Sequence, residues 1–246
     1  MKIRSIAAAA AFVGTTVLAG GVNALPVNGT GNVTPDVIFG TGNDNGSFTG
    51  TNADGLELGL RAKLRYDAAG NPQNIFNYDG VDTYTFDAST SLIPAGRSVF
   101  NFEFSINSNV DGNIMRPLDS LEYLLQIDLD PGAGTTFLSF DPVAVLLDNA
   151  IGNNTTGNGG GTVGGDTSTN PVAQNSLNLG FYTLSPSLPG EYQFRLLAGL
   201  PGTPLASTQI NVIVTDGTAV PIFSTLPLLA SGLALLAFSG ARRRRA

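Results

Sequence analysis

No cysteine, histidine or tryptophan occurs anywhere in the 246 residues. Without Cys there is no disulfide, no iron–sulfur cluster, no thiolate zinc site and no thiol nucleophile. Without His, the usual serine triad and every His-ligated metal are excluded. Without Trp, the platform on which sugars commonly stack is missing, and few other aromatics stand at expected loop tips. Basic charge is also scarce, with 12 Lys and Arg against 19 Asp and Glu. Six of the 12 sit at the chain ends (Lys2, Arg4 and Arg242 to Arg245), while every acid lies between Asp36 and Asp216. The body therefore carries 6 − 19 = −13, against −7 for the whole chain. Such a surface repels nucleic acid and anionic lipid and suits hydrated matrices and cations, so no nucleic-acid partner is expected.

The two ends read as addresses. Met1, Lys2, Ile3 and Arg4 form a positive start, Ile6 to Leu18 a mostly apolar stretch, and Val22 to Ala24 a small-residue cleavage site. That apolar stretch is too short to span a bilayer, so residues 1–24 are expected to be a cleaved signal peptide with the mature chain starting near Leu25. At the other end, Val220 to Ala241 holds no charge over 22 residues. As a helix this run reaches roughly 33 Å, enough to cross a hydrocarbon core of about 30 Å. Arg242, Arg243, Arg244 and Arg245 follow it, as basic residues on the cytoplasmic side of a membrane segment do.

Val220-Pro221, the apolar stretch from Ser224 to Phe238 and the terminal Arg242–Ala246 together resemble the PEP-CTERM sorting signal of Gram-negative bacterial envelope proteins. Ile222 and Phe223 stand where that family has Glu and Pro. The resemblance covers residues 219–246 and implies an exported chain handled by the export machinery and by an exosortase-like sorting protease. The competing expectation is an unprocessed tail that keeps the body at the membrane.

Within the body, apolar residues recur with period two. Leu56, Leu58, Leu60, Ala62, Leu64 and Tyr66 share one face, which leaves Glu57, Arg61, Lys63 and Arg65 on the other, expected to face solvent. Phe100, Phe102, Phe104 and Ile106 repeat the pattern, as do Leu121, Tyr123, Leu125, Ile127 and Leu129. Further strands are expected at 83–87, 136–140, 177–183, 191–198 and 208–215, with turn-rich sequence between them. The fold class is therefore all-β: one antiparallel β-sandwich of about eight strands over residues 25–218, jelly-roll or immunoglobulin-like, flanked by a signal helix and a C-terminal transmembrane helix. Tyr192 just after the turn at Gly190 fits either a tyrosine corner or a plain core residue. Asp141 to Ala150 is expected to hold one short helix. Residues 151–170 are mostly Gly, Asn and Thr and are expected to form a flexible surface excursion, and 25–55 a loose entry segment with an edge strand near Val37–Phe39.

The densest acidic cluster is Ile127 to Gly132. Asp128 and Asp130, two residues apart, would share one strand face and, with Asp119 or Glu122 and turn carbonyls, offer oxygen ligands to Ca²⁺. The same residue types are also ordinary turn formers, as at Gly42–Gly46 and Asn109–Asn113. No Asp-Thr/Ser-Gly loop marks an aspartic protease. Some pair of carboxylates at glycosidase separation is expected by chance among 19 acids. Three functions follow in order: a non-enzymatic structural or adhesive protein of the envelope or extracellular polysaccharide matrix, a Ca²⁺-dependent glycan-binding module using Asp128 and Asp130, and a two-carboxylate polysaccharide hydrolase. No catalytic residue and no cofactor other than Ca²⁺ is expected.

Overall fold

Alternating apolar residues fold as strands because successive side chains point to opposite faces of a sheet. The computed structural model describes residues 26–28, 33, 35–90, 93, 96–112, 116–182 and 188–217. The signal peptide and the whole sorting segment, with Val220, Pro221 and Arg242 to Arg245, lie outside them. The strands in chain order are β1 (Pro26–Asn28), β2 (Thr49–Ala53), β3 (Leu56–Tyr66), β4 (Pro72–Ile75), β5 (Thr83–Asp87), β6 (Phe100–Asn107), β7 (Glu122–Asp128), β8 (Phe137–Phe140), β9 (Ala150–Gly152), β10 (Thr162–Val163), β11 (Val172–Leu177), β12 (Gly190–Leu200) and β13 (Thr203–Thr215). The expected short helix is α1 (Pro142–Val145), capped by the Asp141 carboxylate, which accepts from the N–H groups of Val143 and Ala144.

Two open sheets result. One is ordered β1-β2-β3-β6-β11-β9-β10, with β4 also paired to β3; the other is ordered β5-β13-β12-β7-β8. The even-numbered face of β3 and β6 meets Tyr192, Phe194 and Leu196 of β12 and Ile210, Val212 and Val214 of β13 in one continuous core. The rings of Phe102 and Phe194 stack across the two sheets with centroids 4.9 Å apart, and Phe100 meets Phe194 edge-on at 6.0 Å. Hydroxyls stitch the sheets where apolar contact ends: Thr51 Oγ1 donates to the Ser207 carbonyl at 2.7 Å, and Thr208 Oγ1 to that of Thr49 at 3.2 Å. Tyr192 is fully buried, and its hydroxyl donates to the Leu188 carbonyl four residues back at 2.9 Å.

The structure departs from the sequence expectation in five places. Pairing is not wholly antiparallel, because β5 runs parallel to β13 from Asn211↔Thr83 to Thr215↔Asp87. More than a hundred residues separate the two, so no hairpin dictates their direction. The strand expected at 177–183 is displaced: β11 ends at Leu177 and Leu179–Tyr182 form a 3-10 turn. Asn178 breaks the ladder, since its side chain accepts from the Ser98 N–H and donates to the Ser98 carbonyl and to Asn101 Oδ1. The strand number also exceeds about eight, because β2, β4, β9, β10 and β11 lack a clean alternation.

The fourth and fifth departures belong together. Val37–Phe39 is not an edge strand but part of a strap, residues 36–48, laid over the outer face of β3, β6 and β11, where Val33, Val37, Ile38, Phe39 and Phe48 join Ala150 and Val172 in a second apolar cluster. At Gly59 the strap lies so close that a Cβ would stand 3.1 Å from Val33 Cγ1 and 3.2 Å from Phe48 Cδ1. Residues 151–170, expected as a flexible excursion, clasp the strap from the other side: the N–H groups of Gly159 and Gly161 donate to the carbonyls of Val37 and Ile38, both at 3.0 Å. Glycine serves close approach here, because a Cβ at Gly161 would meet Ala150 Cβ at 2.8 Å and the Ile38 carbonyl at 2.9 Å.

Burial raises the phenol groups of Tyr84 and Tyr123 and pushes Tyr192 up to about 12. A raised folded value means the neutral phenol contributes stability below the unfolded value near 10, and this is lost as pH climbs through the folded values. With no tryptophan to mask tyrosinate absorbance, the expected outcome at about pH 11 is that these three remain protonated while β-sheet circular dichroism persists. They should then ionise together with its loss. Ionisation of all six tyrosines with the dichroism intact would contradict the buried positions.

Candidate binding pocket

The odd-numbered side of β3 carries Gly59, Arg61, Lys63 and Arg65, and the strap turns this face from surface into interior. Arg61 and Glu103 are fully buried and Lys63 is nearly so. Arg61 and Glu103 are brought opposite each other by the β3–β6 register. Arg61 Nε meets Glu103 Oε2 at 2.5 Å, and Lys63 Nζ meets Glu103 Oε1 at 2.5 Å, so one carboxylate serves two cations. The guanidinium also lies between two rings, 4.1 Å from the Phe48 centroid and 4.5 Å from that of Phe76. Burial pushes the Arg61 and Lys63 values down, and the Glu103 carboxylate pulls both back up.

The same polar groups hold the strap. Arg61 Nη1 donates to the carbonyls of Asp44 (2.8 Å) and Gly46 (2.6 Å). Lys63 Nζ donates to Asn43 Oδ1 at 2.5 Å and to Asn74 Oδ1 at 3.2 Å. Gln174 on β11 accepts from the Ile38 N–H at 2.8 Å and donates to the Asp36 carbonyl at 3.2 Å. Charged residues that period-two reading places in solvent are thus the fastening of a covering layer.

Where the strap turns away at Phe39–Asn43, a cavity of about 510 Å³ opens between it, the ends of β3 and β4, and Asn101, Asn175 and Ser176 of β6 and β11. Its wall is polar. Asn43, Gln73, Asn74, Asn101 and Asn175 contribute carboxamides, Thr41 and Ser176 hydroxyls, and Lys63 and Arg65 positive charge; none of the lining residues is an Asp or Glu. Most of the carboxamides are held in place: Asn74 Nδ2 donates to the Gly42 carbonyl at 2.8 Å, Asn101 Nδ2 to Ser176 Oγ at 3.0 Å, and Asn175 Nδ2 to Asp148 Oδ1 at 2.9 Å. This wall offers hydrogen bonds and charge in a fixed arrangement, more polar than the mostly apolar lining of common small-molecule sites.

Asp128 and Asp130, the sequence candidates for Ca²⁺, lie elsewhere, at the β7–β8 turn. Asp128 is buried, and its Oδ1 accepts from the N–H groups of Asp130 (3.1 Å) and Thr136 (2.8 Å). Asp130 Oδ1 accepts from the Gly132 N–H at 2.9 Å. Both carboxylates therefore organise the turn that packs on Gly190, where a Cβ would stand 2.3 Å from the Pro131 carbonyl. Asp119 belongs to the 3-10 turn Leu118–Ser120, and Glu122 is exposed. Among the described residues, no group of three or more His, Cys, Asp or Glu is placed to hold a metal ion.

Sequence reasoning did not find the pocket, because its residues are scattered from Phe39 to Ser176 and only the strap unites them. One signal did exist: three of the six body cations, Arg61, Lys63 and Arg65, share one face of one strand. Glu103→Gln removes the carboxylate that, among the described residues, is the only one paired with the two buried cations, and is expected to destabilise the fold by about 3–5 kcal/mol in urea unfolding. A loss below about 1 kcal/mol, the usual worth of an exposed pair, would show these charges to be solvated. No protein-family model matches the chain, and no curated protein matches it.

Proposed function

We propose that the chain is an exported, non-enzymatic protein of a Gram-negative cell envelope or extracellular polysaccharide matrix, with a structural or adhesive role. On this reading the signal peptide directs export, and the terminal segment inserts in the membrane, where an exosortase-like protease processes it. Support for the address comes from the uncharged run ahead of Arg242 to Arg245 and its resemblance to PEP-CTERM signals. Among the described residues no helix is long and apolar enough to cross a membrane, and the run from Val220 to Ala241 is outside them. For the body we propose a single β-sandwich domain. The tyrosine-corner bond of Tyr192 favours an immunoglobulin-like over a jelly-roll arrangement.

The observation that carries a binding rather than a catalytic role is the wall of the cavity. It presents carboxamides, hydroxyls and two cations but lacks the pair of carboxylates that sugar hydrolysis requires. The Ca²⁺-dependent reading has a separate requirement: the ion would have to compete with the backbone N–H groups already bound by Asp128 and Asp130.

Intact-mass measurement on protein recovered from its host tests the address. A chain found outside the cytosol, starting near residue 25 and shortened near Val220, is the expected result; the full 25.4 kDa chain in the cytosol would refute it. Melting with and without millimolar Ca²⁺ separates the two binding readings. An unchanged Tm is expected, whereas a rise of several degrees, abolished in Asp128→Asn, would favour the calcium module.

A further inference from the structure

Lys63 spends its ammonium protons on Glu103, Asn43 and Asn74. Arg65, two residues along the same strand face, lines the same cavity and has no such partner. Among the described residues its guanidinium makes no hydrogen bond or ion pair, and lies 5.4 Å from the Tyr66 ring centroid. It is half-buried and carries five N–H donors in a planar fork that matches a carboxylate. Beside it, the Gln73 carboxamide oxygen and the hydroxyls of Thr41 and Ser176 line the cavity with hydrogen-bonding capacity to spare.

We propose that this cavity binds the carboxylate of an acidic sugar, with Arg65 gripping the anion in a two-pronged pair and the carboxamides and hydroxyls taking the sugar's own hydroxyls. The cavity's volume of about 510 Å³ falls inside the usual range for small-molecule sites and holds one or two sugar units. Arg65 is the feature that favours an anion. The charged residues of the wall itself, Lys63 and Arg65, are both basic; Lys63 is paired with Glu103, and Asp67 and Asp148 are bound by the lining Gln73 and Asn175, so the attraction for an anion rests on Arg65. A wall of hydroxyls and carboxamides, with Phe39 as its one aromatic residue, selects a polyhydroxylated ligand over an apolar acid.

The inference rests on the matrix reading only for the source of the sugar. The test is calorimetric titration of the full chain with digalacturonate, beside neutral digalactose and inorganic phosphate. Digalacturonate alone is expected to bind measurably, with Arg65→Gln weakening it at least tenfold and Arg195→Gln on the other sheet leaving it unchanged. Arg65→Lys keeps the charge but loses the fork, and is expected to lose most of the affinity while melting as the parent does. No binding of digalacturonate, equal binding of digalactose, phosphate binding as tight as the uronate, or undiminished binding by both Arg65 variants would each overturn the proposal. Uronate binding that depends on Arg65, in a chain recovered from the cytosol, would sink the matrix reading and leave this site standing. Retention in an acidic matrix that is indifferent to Arg65→Gln would do the reverse.

Discussion

Glu103 is the residue on which the outer layer of the molecule depends. Its carboxylate, fully buried on β6, accepts Arg61 at one oxygen and Lys63 at the other. Neither cation is tolerable in the interior without it, because removing a charge from water costs several kcal/mol unless partners replace the lost hydration. At Arg61 the replacement comes from the carboxylate, two backbone carbonyls and two aromatic rings, with only Nη2 left without a hydrogen-bond partner. Arg61 and Lys63 in turn bind the strap at residues 43–46, so the ion pairs link the sheet to its cover.

The cover changes what the larger sheet is. An antiparallel sheet with one wet face needs only alternating residues, and β3 has the alternation. Here both faces of its central strands β3, β6 and β11 are largely buried, one against the second sheet and one against the strap. The glycine- and asparagine-rich stretches around it supply what such a layer requires: glycine where backbones touch, as at Gly59 and Gly161, and carboxamides where a backbone group would otherwise lack a partner, as at Gln174 and Asn178. The cavity opens where the strap peels off the sheet, which explains why its wall is made of the same carboxamides and cations.

Much of the main core was readable in the alternation of Leu56 to Leu64 and of Phe100 to Ile106, since an inward face must be apolar whatever it packs against. The α1 turn was readable from Asp141 followed by proline. What misled was charge: Arg61, Lys63 and Glu103 look like a solvated face because burial of such residues depends on partners far along the chain. The strap that buries them has few apolar residues beyond Val37 to Phe39 and reads as a loose segment with one edge strand, and β11 is concealed by Gln174, Asn175 and Ser176. Asp128 and Asp130 were read by their chemistry as possible ligands, and only the positions of the Thr136 and Gly132 N–H groups reveal what their oxygens bind.

By itself the sequence determined the β-rich class, the inward faces of the long strands, the acidic balance of the body and the exclusion of every chemistry that needs Cys or His, because these follow from residue type and short-range spacing. The tertiary structure alone decided the parallel partner of β5, the burial of the Arg61–Glu103–Lys63 group and the assembly of the cavity. Each of these joins residues separated by tens to more than a hundred positions, and no local pattern encodes which distant segment will lie across a given face.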